Sequence, residues 1–438
     1  MQRRTFLSLL ALPAVAQLLQ ACGDDESTTD STTRPGLEPG RVMGAATRVP
    51  ATNSDAVEAS AAINAFSADL FERLVAADPT ANLVFSPASI ALALTMTSAG
   101  AKEQTLTEMN TVLHITDQAT IHRSMNGLSA AFAAVNKSVD NTAEGGEGTS
   151  QVQLSIANSL WGQAGYSFEQ TFLDLLSSEY GAGMELVDYV SDPEAARVAI
   201  NAWVDEQTKQ RIPELLPEES ITVDVRLTLV NAIYLKANWA DTFNDALTAP
   251  EPFSAPGGDV TAQMMHTTAE LGYGEGEGWR AVEIPYVFND LSFLVAMGDD
   301  ADVAMPSVDE AAGALGGRLV ELGLPRFDIE TATSLADVLT EMGMPRAFED
   351  RDEFTGMSTS KPGLFIGDVI HQANITVDEE GTEAAAATAV IMVGESAPQE
   401  PPTPVVFTID RPFTFWLRDQ ATDTVIFAGR VNDPSTSR

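Results

Sequence analysis

The residues best suited to covalent or metal chemistry are few in this chain. Cysteine occurs once, at Cys22, and the histidines are His114, His122, His266 and His371. No pair stands at His-x-x-x-His spacing and no Cys-His cluster exists, so no metal site is visible. Ser358-Thr359-Ser360-Lys361 has the Ser-x-x-Lys spacing of penicillin-interacting enzymes. Gly356, Pro362 and Gly363 surround it, which predicts a loop where that chemistry needs a helix start. Its usual Ser-Asp-Asn and Lys-Thr-Gly partners are missing, as are a Gly-x-Ser-x-Gly elbow and a phosphate loop. The reading is therefore no catalytic residues, no metal and no cofactor.

One stretch carries conformational chemistry instead. Asp378-Glu379-Glu380-Gly381-Thr382 leads into Glu383-Ala384-Ala385-Ala386-Ala387-Thr388. Read as a strand, residues 382–393 place Thr382, Ala384, Ala386, Thr388, Val390 and Met392 on one face. Glu383, Ala385, Ala387, Ala389, Ile391 and Val393 fall on the other. The first face starts small and uncharged and becomes apolar, so it can be buried without stranding a charge. Gly381 supplies a joint with little steric resistance to a large backbone rotation. Composition alone favours a different reading, a plain surface helix, because Ala and Glu are good helix formers.

A segment of this kind needs a sheet to receive it. Residues 227–235 form a β-rich run too apolar for a one-sided sheet, which predicts a central strand covered on both faces. Residues 413–417 and 425–427 flank Asp419-Gln420-Ala421-Thr422-Asp423 as a hairpin. Helices are expected from Ser89 onward, after Ser86-Pro87, and over residues 200–212 with a stop at Pro213. Residues 141–148 read as a polar loop and residues 398–404 as an extended surface segment. Helices come mainly early and strands mainly late, which argues for an α+β fold.

Charge narrows the partners. The chain has 63 acidic against 24 basic residues, a formal −39. Nucleic acid and anionic membrane surfaces would repel it. The N-terminus gives an address. Arg3-Arg4-Thr5-Phe6-Leu7 is a twin-arginine start, followed by an apolar run too short for a membrane span and broken by Pro13. It ends in Leu19-Gln20-Ala21-Cys22, which resembles a lipobox with Cys22 as the lipid attachment site. Residues 1–22 are thus expected to be an export signal, and the membrane to be met only through lipidated Cys22. Residues 23–58 are rich in Asp, Ser, Thr, Pro and Gly and are expected to be a disordered tether. The mature protein is placed in the cell envelope, periplasmic or at the cell surface.

Six blocks in register resemble the serpin family from about Ala59 to Pro434. Asn82-Leu83-Val84-Phe85-Ser86-Pro87-Ala88-Ser89-Ile90, with Gly100-Ala101-Lys102 after it, is similar to the family's second helix. Ile156-Ala157-Asn158-Ser159-Leu160-Trp161 and Leu229-Val230-Asn231-Ala232-Ile233-Tyr234-Leu235-Lys236 through Trp239 resemble strands of its large sheet A. Val377 to Thr388 resembles its loop hinge. Arg411-Pro412-Phe413 and Phe427-Ala428-Gly429-Arg430-Val431 resemble its last strands; Thr414 departs from the usual apolar residue.

The resemblance implies a serpin fold over residues 59–438, about nine helices around three β-sheets, with an exposed reactive-centre loop near residues 379–404. It implies a monomeric inhibitor of serine, or cysteine, endopeptidases whose cleaved loop inserts into sheet A and traps the protease covalently. Glu379, Glu380, Gly381, Thr382, Glu383, Ala384, Ala385, Ala386, Ala387 and Thr388 would be the hinge. Ser86, Ser89, Asn231 and His371 would be the shutter under the sheet centre. The family spacing from Gly381 puts the scissile bond between Glu395 and Ser396, with Met392 or Val393 as the fallback. The region that binds glycosaminoglycans in some relatives has only Arg123 and Lys137, so no heparin site is evident. The alternative is a non-inhibitory serpin acting as a binding or structural envelope lipoprotein. If Cys22 carries lipid, Cys22→Ala shifts the protein from membrane to soluble fractions. Arg3→Lys with Arg4→Lys retains it in the cytoplasm; unchanged fractionation of both variants refutes the address.

Overall fold

The computed structural model describes residues 39–140, 149–300, 304–349, 353–382 and 403–436. Sheet A runs, in spatial order, β1 (Gly40–Val42), β5 (Met184–Val187), β4 (Thr149–Gln163), β6 (Leu227–Asn238), β14 (Gly381–Thr382), β13 (Val369–Val377) and β12 (Phe327–Ser334). Strand β3 (Lys137–Asp140) pairs with the start of β4. A second ladder runs β15 (Val405–Thr408), β11 (Gly316–Pro325), β8 (Gly258–Gly276), β9 (Trp279–Pro285), β10 (Leu291–Gly298), β16 (Phe413–Asp419), β17 (Thr424–Val431) and β2 (Leu83–Phe85). Strand β7 (Ala249–Ala255) pairs with β8. The 19-residue β8 pairs with β7 and β11 early and with β9 at its end. The three expected sheets are therefore sheet A and two sub-sheets that share β8.

The helices are α1 (Val57–Ala77), α2 (Pro87–Ser98), α3 (Glu103–Val112), α4 (Ile121–Ala134), α5 (Gln170–Leu175), α6 (Pro193–Gln207), α7 (Val308–Gly313) and α8 (Ala336–Met342). That is eight α-helices among the described residues against about nine expected, with a π-helical turn, Leu176–Tyr180, continuing α5.

Strand β6 is mainly apolar because both of its faces are covered. Leu229, Ile233 and Leu235 point into the main core, whereas Val230 and Ala232 meet α6 with Trp161, Tyr189, Ile200 and Val204. The central-strand expectation for residues 227–235 holds, and β16 and β17 form the expected hairpin. Helix α2 begins where Ser86 accepts the Ser89 N–H and Pro87 occupies the first turn.

Two boundaries differ from expectation. Helix α6 spans Pro193–Gln207 rather than residues 200–212. Its first turns carry little apolar periodicity, but Asp192 caps the Ala195 N–H ahead of Pro193. Lys209 and Gln210 then adopt left-handed φ of 55° and 61°, which end the helix before Pro213. The second difference is larger. The tether expected over residues 23–58 takes in a structured stretch: within residues 39–58, β1 pairs with β5, a 3₁₀ turn follows at Asn53–Asp55, and α1 begins at Val57, while residues 23–38 lie outside the described residues.

Candidate functional site

The functional candidates converge on the seam where β6 meets β13. These two strands run parallel and pair directly over four residues each, Val369↔Leu229 to Gln372↔Ala232. Beyond that point β14 sits between them. Thr382 pairs with Ala237 on one side and with Val377 on the other.

At the paired stretch, the four shutter residues form one buried polar network. Ser86, Ser89, Asn231 and His371 are each fully enclosed. The Ser86 N–H donates to His371 Nε2 at 3.1 Å, which makes Nε2 the acceptor and leaves the proton on Nδ1. That Nδ1–H donates to Asn231 Oδ1 at 2.6 Å. Asn231 Nδ2 in turn donates to Ser89 Oγ and Asn158 Oδ1. Ser86 Oγ donates to the Ile426 carbonyl of β17 at 2.7 Å. Burial pushes the His371 pKa down to about 3, so the imidazole is neutral. A proton on Nε2 would face the Ser86 N–H, and the network has no place for it.

At the β14 end a second cluster fastens the hinge. Trp239 Nε1 donates to the Asp378 carbonyl and the Trp239 N–H to the Glu380 carbonyl, each at 2.9 Å. The Tyr286 ring stacks on Trp239 at 4.5 Å between centroids. The Tyr286 hydroxyl shares a 2.6 Å hydrogen bond with Thr382 Oγ1. Glu379 is buried, and its carboxylate accepts from Arg326 Nε at 2.7 Å and from the Thr248 hydroxyl. Burial alone would raise its pKa, but the Arg326 and Thr248 hydrogen bonds outweigh it and hold the carboxyl below its ordinary value. Gly381 has φ +150°, and a Cβ there would fall on the Ala237 carbonyl oxygen, so the position requires glycine.

This corrects one expectation. The hinge is not wholly exposed before cleavage: Thr382 is 1 % exposed and already part of the sheet. Sequence reasoning also missed Asn158, Trp239, Tyr286, Thr248 and Arg326 as working parts. Asn158 and Trp239 lie inside the strand blocks quoted above, where a polar side chain between apolar neighbours and a strand-end tryptophan were the available signals. Thr248, Tyr286 and Arg326 carry no local signal.

Glu383, Ala384, Ala385, Ala386, Ala387 and Thr388 lie outside the described residues, as do Glu395, Ser396, Met392, Val393 and Cys22. Ser358 spends its hydroxyl on the Ser167 carbonyl, at 2.8 Å, so the Ser-x-x-Lys run is structural. Arg123 is paired with Asp55 at 3.3 Å and Lys137 with Asp290 at 2.5 Å.

The chain matches the family model described as "Serpin (serine protease inhibitor)" over residues 61–434. An uncharacterized serpin-like protein of Thermococcus kodakarensis is 36% identical over 380 residues, 85% of each chain. The leukocyte elastase inhibitor of Sus scrofa is 35% identical over 393 residues, 86% of this chain and 99% of that one. The native-state crystal structure of the thermophilic serpin tengpin aligns with a TM-score of 0.75 at 25% identity, over 90% of this chain and all of that one.

The neutral imidazole sets an expected pH response. His371 refuses the proton that the unfolded chain takes up below about pH 6.5. Its contribution is therefore full at neutral pH and declines as pH falls from 6.5 towards 3, by about 2 kcal/mol at pH 5. His122, pushed down to about 4 by burial, acts in the same direction. His371→Ala should lower native stability by on the order of 1–3 kcal/mol at pH 7 and flatten the decline between pH 7 and 5. Urea melts at both pH values check this; a variant with the parent's midpoint and pH slope overturns the assignment.

Proposed function

Because the chain belongs to the serpin family, we propose that it inhibits serine endopeptidases by covalent trapping and is not itself an enzyme. The target's catalytic serine attacks the carbonyl of Glu395, the bond to Ser396 breaks, and an ester joins protease to loop. The freed segment after Thr382 then enters sheet A between β6 and β13, a mode of strand addition for which serpins are a standing example. The attached protease is dragged with it and its active site is distorted before the ester can be hydrolysed.

The observation that carries this reading is β14. Gly381 and Thr382 already occupy the place of an inserted strand, antiparallel to both neighbours. Continuing that register would bring Ala384, Ala386 and Thr388 onto the same face as Thr382. All are small, so insertion would meet no stranded charge. The four pairs beyond β14 would have to part first, and the His371 network sits on them. An acidic residue before the scissile bond points to a protease whose pocket supplies a basic group. In this reading the molecule is a monomer, and its export signal and lipidated Cys22 hold it in the cell envelope.

Ala384→Arg tests insertion. It is a cleaner probe than Thr382, where a large side chain would also break the Tyr286 contact in the intact protein. Burying an unpaired guanidinium costs several kcal/mol, enough to slow insertion well over tenfold and give the acyl-enzyme to hydrolysis. A protease panel followed by denaturing gels should show covalent complex with the parent and simple cleavage with the variant. Full complex formation by Ala384→Arg refutes insertion, and cleavage without complex by the parent favours the non-inhibitory alternative.

The position of the bond is tested separately. Mass spectrometry of the C-terminal fragment released from the complex should show a start at Ser396. A start at Val393 or Gly394 moves the bond to Met392 or Val393. Glu395→Arg should redirect inhibition to trypsin-like enzymes.

A further inference from the structure

Asp419 closes β16 at the turn into β17. It pairs with Leu291 of β10 on one side and with Thr424 of β17 on the other, and it is buried. From its carboxyl a line of short contacts runs to α1. Asp419 Oδ2 lies 2.6 Å from Thr422 Oγ1, which lies 2.7 Å from Thr424 Oγ1. Thr424 Oγ1 lies 2.8 Å from Ser60 Oγ, and Ser60 Oγ lies 3.0 Å from the Ala56 carbonyl oxygen. All four separations are those of hydrogen bonds, and each hydrogen bond holds one proton. The three hydroxyls carry one proton apiece; the carbonyl carries none, and neither does a carboxylate. Three protons do not fill four contacts. An ionised Asp419 would leave two oxygens facing each other with nothing between them, wherever along the line the gap fell.

We propose that Asp419 is a carboxylic acid whose own proton completes a hydrogen-bonded line from the β16–β17 turn to the first turn of α1. Asp419 donates to Thr422, Thr422 to Thr424, Thr424 to Ser60, and Ser60 to the Ala56 carbonyl. The surroundings suit a neutral group. Asp419 Oδ1 is buried with no hydrogen-bond partner among the described residues, a loss that an uncharged carbonyl oxygen bears far better than half of a carboxylate. The cations around the turn are engaged elsewhere. Arg418 gives its terminal nitrogens to Glu283 of β9 and to Asp423, and Lys137 pairs with Asp290. Helix α1 and β17 bring only neutral groups to the turn, Ser60, Asn64 and Thr424. Burial, with the like charge of Asp290 just before β10, pushes the Asp419 carboxyl up against the pull of the Thr422 hydrogen bonds. A buried acid kept neutral so that it can donate a hydrogen bond has precedent among enzymes.

The line makes the turn respond to pH in the sense opposite to His371. A carboxyl whose pKa is raised contributes fully below its unfolded value, about 3.9, and loses that contribution as pH rises to its folded value. Ionisation then breaks the line at its first contact and sets a carboxylate near Asp290. The strand that loosens at its turn is β17, whose Ile426 carbonyl receives Ser86 Oγ under the seam. The assignment stands whether or not the loop inserts.

Two variants of the full chain test it. Asp419→Asn puts a non-titrating N–H donor where the acid proton stood. In urea melts its folding equilibrium should gain on the parent's by about tenfold per pH unit, from about pH 4 up to the folded pKa of Asp419. His371 and His122 act equally in both proteins and drop out of the comparison. A ratio that does not change with pH overturns the proton. So does an Asp419 carboxyl-carbon resonance, assigned by its loss in Asp419→Asn, that titrates at the ordinary aspartate value. Ser60→Ala tests the line from its far end. It removes one hydroxyl and two contacts, so the two remaining hydroxyl protons fill the two remaining contacts and Asp419 no longer has to donate. Its resonance should then titrate at lower pH than in the parent; a titration unmoved or moved upward overturns the proton count. Calcium added at constant pH is the last arm: stabilisation of the parent but not of Asp419→Asn assigns the orphaned oxygen to a cation and overturns the proposal.

Discussion

The two halves of sheet A meet through an imidazole that must stay uncharged. His371 is fully buried on β13, accepts from the backbone of Ser86, and donates to Asn231 on β6. Neither strand could bury its polar group alone, because an unmet amide or imidazole costs more than the bond it forgoes. The pairing therefore makes each half the other's solvent. It also ties the seam to one contact: moving β6 from β13 breaks Asn231's hydrogen bond to His371 and leaves both buried groups without that partner. Polar networks of this kind rigidify a core when complete and destabilise it when partial.

The same seam is fastened differently at its other end. There the strands are held apart by β14, and the hinge before it is fixed through its backbone carbonyls by Trp239 and Phe243 and through the Glu379 carboxylate by Arg326 and Thr248. The combination is asymmetric. One end is already in the geometry of the expanded sheet; the other is closed by only four residue pairs. Opening has a defined starting point and direction, from Thr382 towards His371. Parallel pairing at the closed end is slightly weaker per residue than antiparallel pairing, which suits a contact that has to be broken.

Much of this was legible in the residues. The mainly apolar β6, the hairpin of β16 and β17 and the start of α2 follow from local pattern, because each is decided by neighbours in sequence. The shutter set came through resemblance, and the geometry brings Ser86, Ser89, Asn231 and His371 together as expected. The failures have a common cause. Thr382 looked free because nothing near it in sequence reveals Tyr286, 96 residues away. Residues 39–58 looked disordered because their composition is polar and small, yet Gly44 among them and Gly183 just before β5 sit where a Cβ would strike the Leu173 and Val42 carbonyls. Long-range contacts can give order to segments whose composition argues for none.

The hydrogen bond from Ser86 to the carbonyl of Ile426 spans 340 residues. Strand β2 likewise waits for β17, its hydrogen-bonding partner in the ladder. A chain made from its N-terminus must therefore finish nearly its whole length before the closed seam has its support. Until then β6, buried over nearly its whole length, has no β13 beside it and no completed floor. Contacts of such separation make folding slow and leave strand edges exposed meanwhile. For this protein the interval between synthesis and closure is the time in which the unpaired edges of β6 and β2 stay open to other strands.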